Sequence, residues 1–146
     1  MTITRYAPNT VFLGGDRTQV NDVAASELIR PGQLIERFNN AGIQRWRKHS
    51  TAAAGGAAAV ATNQSMLNLG IDDDYGVGDL VEASILHKGA TAWMLLAPGQ
   101  TVVFGDKLES AGTGALQKGA AGVPLFVALE AITTTASVGR IRVEAL

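Results

Sequence analysis

Arg140-Ile-Arg-Val-Glu144 is the stretch that decides the fold. Ile141 and Val143 alternate with Arg140, Arg142 and Glu144, and side chains on a strand point to opposite faces in turn. One face is therefore built for a core and the other for water. Working back along the chain, the same kind of short run recurs. Leu125-Phe-Val-Ala-Leu129 is one. Thr101-Val-Val-Phe104 is closed by Gly105-Asp106, and Ala90-Thr-Ala-Trp-Met-Leu-Leu96 is stopped by Pro98-Gly99. Leu80-Val-Glu-Ala-Ser-Ile-Leu86 is entered from Gly78-Asp79. Gln33-Leu-Ile-Glu-Arg-Phe38 runs into the turn signal Asn39-Asn40-Ala41-Gly42, and Ile43-Gln-Arg-Trp-Arg47 leaves it. Many short strands at close spacing predict an all-β chain with little helix, a compact sandwich or barrel, jelly-roll-like by preference. Residues 13–146 read as one β-rich domain, and residues 1–12 as an N-terminal arm or a first strand.

Two segments depart from this pattern. Gln19 to Arg30 places Val20, Val23, Ala24 and Leu28 at spacings open to one short helix or to an irregular connection before Pro31-Gly32. Thr51 to Ala61 is rich in Ala and Gly. Gly55-Gly56 disfavours a helix there, so a loop leading into a strand near Val60 is expected. A faint echo links Gly32–Glu36, Gln44 and Val60-Ala61 with Gly105–Glu109, Gln117 and Val127-Ala128. Each copy reads as strand, hairpin and strand, and two such units closing on each other would remove exposed edges.

Composition limits the functions open to the chain. Its 146 residues suit a single domain that needs no metal or disulfide to fold, and it has no cysteine. Twelve Lys and Arg against 13 Asp and Glu give a formal charge of -1, so no net positive field draws in nucleic acid or an anionic membrane. Charged residues are 17% of the chain, which suits either a surface covered by neighbours or a small-residue core with neutral loops. No apolar run is long enough to span a bilayer, and the start of the chain lacks the apolar region of a signal peptide. The expected setting is a cytoplasm or a particle assembled there.

Candidate chemistry is sparse. His49 is followed by Ser50, but neighbours on a strand face opposite ways, so the pair is a poor base and nucleophile. His49 and His87 both read as a solvated strand end or loop. Asp72-Asp73-Asp74 lacks the alternate spacing of a calcium loop and reads as an acidic turn. Arg45-Trp46-Arg47-Lys48-His49 mixes cations with an aromatic ring that would stack on a base. Alternation instead puts Arg45 and Arg47 on an exposed face opposite a buried Trp46. Gly14-Gly15, Gly55-Gly56 and Gly76-Val-Gly78 match no phosphate-cradling loop. Catalytic, metal and cofactor sites are therefore none, and no enzyme is expected. Trp46, Trp93 and Met94 are the large apolar groups that would anchor either an oligomer interface or the core; the core is expected, with Trp93→Ala then unfolding the protein.

Three phrases carry a resemblance. They are Gly70-Ile-Asp-Asp-Asp-Tyr-Gly-Val-Gly-Asp-Leu-Val81, Pro98 through Leu116, and Val127-Ala-Leu-Glu-Ala131 with Arg140-Ile-Arg-Val-Glu-Ala-Leu146. In their order and spacing they resemble the capsid cement, or decoration, proteins of tailed bacteriophages. The resemblance covers about two thirds of the chain and is weakest in the first thirty residues. It implies a β-rich domain forming a symmetric oligomer on the outside of an icosahedral head, with no reaction and no cofactor. The implied partners are the major capsid protein and the chain itself, as homodimer or homotrimer. The implied location is the virion exterior, with the host cytoplasm during assembly. Thr2, Ile3, Thr4, Arg5 and Tyr6 form the candidate capsid-contact arm, since an extended apolar segment can add to a sheet edge. The alternative is an oligomeric β-barrel module binding a glycan or small ligand.

Overall fold

The structure, a computed structural model, describes residues 8–146. Thirteen strands follow one another: β1 Phe12–Gly14, β2 Arg17–Val20, β3 Ile35–Asn40, β4 Ile43–Lys48, β5 Ala59–Ala61, β6 Ala83–Leu86, β7 Thr91–Leu96, β8 Thr101–Val102, β9 Lys107–Ser110, β10 Leu116–Lys118, β11 Phe126–Ala128, β12 Ile132–Thr133 and β13 Gly139–Ala145. The described residues contain no α-helix, only a 3₁₀ turn at Ser65–Leu67.

Five strands close into a barrel in the order β7-β10-β9-β11-β13, with β13 returning to β7. The β7–β13 seam is the longest, running from Gly139↔Leu96 to Glu144↔Thr91 in antiparallel register. The ring is completed by a single parallel pairing, Leu116↔Leu96, between β10 and β7. Of the sandwich and barrel expected from the sequence, the barrel is present, with five strands where a jelly roll has eight. Alternation fills its interior. Ala92, Met94 and Leu96 come from β7, Leu108 from β9, Leu116 from β10, Phe126 and Ala128 from β11, and Ile141 and Val143 from β13. Trp93 falls on the opposite parity and is only partly buried on the outside, with the Arg140 guanidinium 5.5 Å from its ring. The expectation of a core Trp93 is thus corrected, whereas Trp46 and Met94 are both buried.

A second layer lies against the barrel. It consists of the sheet β2-β6-β5 and the β3–β4 hairpin. Its own core gathers Val23, Ile29, Ile35, Trp46, Tyr75 and Val81 with small alanines. Residues 21–34 form no helix. Their backbone is spent on single bridges, Ala24↔Leu80, Ala25↔Trp46 and Ile29↔Tyr75, which tie three remote segments together. Leu34 and Val60 also bridge, and both side chains enter the barrel core, so the layers share apolar surface. Each half of the echo is a strand with two neighbours, β9 with β10 and β11, and β3 with β4 and, through Leu34 just before it, β5. The two units do not close on each other: only β9, β10 and β11 belong to the barrel.

Gly32 sits at the joint. Its N–H donates to Ala61 and its carbonyl accepts from Leu95 of β7. Its φ is +97°, and a Cβ there would meet the Arg140 guanidinium. Both the backbone conformation and the space call for glycine.

Candidate partner-binding surface

The β3–β4 hairpin is a two-residue turn with φ +52° at Ala41 and +86° at Gly42, the mirror-image geometry that suits the twist of paired strands. Asn39 Oδ1 accepts from the Gly42 N–H at 2.7 Å and braces the tip. Cross-strand pairs share a face, so Arg37↔Trp46 lies on one side and Glu36↔Arg47 and Phe38↔Arg45 on the other. Trp46 is buried beneath the hairpin, and Arg45 and Arg47 lie on the outer side, as alternation foretells. Arg37 stacks 5.1 Å from the Trp46 ring, and Arg47 stacks 4.7 Å from Phe38.

At the foot of the hairpin, β3 and the segment before β5 diverge. The fork holds a cleft of about 260 Å³ lined by Ile35, Arg37, Trp46, His49, Gly56 and Ala59, among others. The Trp46 indole N–H, buried beside it, has no hydrogen-bond partner.

His49 is buried, not the solvated strand end expected. Its Nδ1 lies 2.7 Å from Ser110 Oγ of β9, and its Nε2 lies 4.0 Å from Glu36 Oε2. Ser50 instead donates to Glu36 Oε1 at 2.7 Å. Burial pushes the Glu36 carboxyl up. The side-chain and backbone hydrogen bonds from Ser50, with nearby His49 and Arg47, outweigh that and hold it below its ordinary value. A serine, histidine and glutamate thus stand in sequence, but Ser110 is fully buried and its Oγ also accepts from the Gly112 N–H. A substrate carbonyl has no approach to that oxygen, so the trio works as a latch between hairpin and barrel. Strand alternation already set Ser50 aside as a partner of His49. The true partner is 61 residues away, and no local signal marks it.

The other singled-out groups disperse. His87 lies in an exposed turn, 2.8 Å from Thr18 Oγ1. Asp73 accepts from the Gly70 N–H, and Asp74 pairs with Arg30 at 3.0 Å. Among the described residues no three His, Asp or Glu side chains gather to hold a metal ion. No described helix is long and apolar enough to cross a membrane. The candidate arm, Thr2, Ile3, Thr4, Arg5 and Tyr6, lies outside the described residues. Of the segment 1–12, Val11 is buried in the barrel core, and Phe12 opens β1 on the edge of β7.

No family model and no curated protein matches this chain. Among solved structures it is similar to the head fiber gp8.5 N base of bacteriophage phi29. The TM-score is 0.61 at 11% sequence identity, over 90% of this chain and 95% of that one. At that identity the likeness is one of fold, and it spans both the barrel and the second layer.

Proposed function

We propose that this chain is a structural protein of a phage head, a cement or decoration protein bound to the outer surface of the shell. The observation that carries the reading is the near full-length likeness to a head fiber base. The sequence phrases that resemble cement proteins point the same way. The buried, doubly engaged Ser110 supports a non-enzymatic role. Trp46 is buried, and the Arg140 guanidinium stacks 5.5 Å from the half-buried Trp93 ring, which leaves little open aromatic face for a sugar.

In this reading a homodimer or homotrimer bridges neighbouring copies of the major capsid protein. Once one subunit is bound, further contacts form at high effective concentration, so modest interfaces add up to a firm clamp on the shell. Each needs on the order of 1,200–2,000 Å² of total buried area. Thr2–Tyr6 supplies one of these contacts as an extended arm. The protein would be made in the host cytoplasm and carried on the virion exterior.

The test is cosedimentation with undecorated mature heads, with light scattering on the free protein. Saturable binding at a fixed ratio to the capsid subunit supports the reading. A chain lacking residues 2–6 should melt at the same temperature yet bind more weakly. Equal loss of melting temperature and binding would make that segment part of the body.

A further inference from the structure

Among the described residues the hairpin leaves one edge of β3 open. Trp46 donates its N–H to Ala24 at 3.0 Å and accepts from the Ser26 N–H at 2.9 Å, so both its backbone groups point away from β3. Residues opposite each other in an antiparallel pair point their polar groups the same way, inward or outward together. Arg37 faces Trp46, so the Arg37 N–H and C=O point outward on the far side, and by the period of two so do those of Asn39. Neither residue has a backbone partner on that side among the described residues. An unpaired strand edge is a template for another strand.

The surroundings say what kind of strand fits. Beside the edge, on the Trp46 face, stands Arg37, exposed and with no carboxylate partner among the described residues. Further down the same face the edge runs into the mostly apolar cleft floored by Ile35, Trp46 and Ala59, with Glu36 and His49 also in its lining. A strand added here would place one side chain in the apolar cleft and, two residues along, another against the Arg37 guanidinium. The first should be aliphatic and the second a carboxylate. A second copy pairing edge to edge about a two-fold axis would set Arg37 opposite its own counterpart, Ile35 or Asn39, none of which supplies a carboxylate to answer its charge.

We propose that the open edge of β3 is a docking site for an extended segment of a capsid subunit that carries an aliphatic residue and an acidic residue two positions apart. This deepens the head-surface reading and rests on it for the source of the segment.

Two experiments separate the site from its source. The first uses the free protein and the capped peptide acetyl-Thr-Asp-Thr-Val-Thr-Asp-Thr-amide, which offers the pattern in both directions. Binding should slow hydrogen exchange at the Arg37 and Asn39 amides, and the counterpart with Lys for Asp should bind about tenfold more weakly or worse. Arg37→Glu should reverse that preference. Arg37→Pro removes an N–H that points outward, so it should keep the fold and lose binding of both peptides, whereas Arg37→Gln keeps residual binding. Absence of protection at Arg37 and Asn39, or equal binding of the acidic and basic peptides, overturns the site. The second experiment is head cosedimentation of Arg37→Pro. Weakened binding supports the capsid as the source. Full binding by folded Arg37→Pro refutes that assignment while leaving the head-surface role intact, and absence of head binding by the unaltered chain removes the role itself.

Discussion

The barrel and the layer beside it handle their backbone groups in opposite ways. In the barrel the ring β7-β10-β9-β11-β13 closes, and every member has a neighbour on both sides. Closure removes edges and surrounds the interior with strands that cannot separate singly. In the second layer, among the described residues, β3 is paired along one side and only at its start along the other. Its core is filled by alanines around a few large groups, Trp46 and Tyr75 foremost. A closed body carrying a half-open layer is a plain way to hold the proposed docking edge in a fixed place.

The largest effect is expected from Phe126→Ala. Phe126 is fully buried inside the ring, where neighbouring strands have little room to collapse. The loss should be about 3–5 kcal/mol, near the upper end, with both regions melting together in denaturant. Trp46→Ala should fall toward the lower end of the same range, because the cleft beside it lets the site relax. Hydrogen exchange should then show β3 and β4 opening while β7 and β13 stay protected. If both regions opened together in that variant, the division between them would be wrong.

Gly32→Ala tests the joint. Alanine at φ +97° with Arg140 in its way should cost about 1–3 kcal/mol and loosen the second layer from the barrel. An unchanged melting temperature would show that the joint gives easily.

The smallest effect concerns pH. The Glu36 carboxyl is held below its ordinary value of 4.5 in the folded chain. A lowered carboxyl contributes stability above its unfolded value and loses it as pH falls through its folded value. Glu36→Gln should therefore be less stable than the parent at pH 7, by at most about 1 kcal/mol for a partly exposed group. The difference should fade below 4.5. A gap in urea midpoint that stays constant across this range would mean the ionised form contributes nothing.

Much of this division is legible in the residues, for identifiable reasons. Ile141 and Val143 face the barrel core because their neighbours are charged, and the alternation has one solution. The hairpin follows from Asn39-Asn40-Ala41-Gly42, although the turn itself takes only Ala41 and Gly42. In β7 both faces are apolar, so parity gave no guide and size misplaced Trp93 in the core. Ring closure rests on the lone Leu116↔Leu96 pair, a contact between residues that nothing in the local pattern connects. The same holds for His49 and Ser110. The open edge of β3 is invisible in sequence because it depends on what Trp46 pairs with behind the hairpin.

The most direct test of the account is hydrogen exchange on the protein bound to phage heads, compared with the free protein. If the open edge of β3 makes the contact, slowing concentrates at Arg37 and Asn39 in the second layer, while the barrel strands β9, β11 and β13 exchange as they do when free. Protection spread over those barrel strands, with Arg37 and Asn39 unchanged, would contradict it.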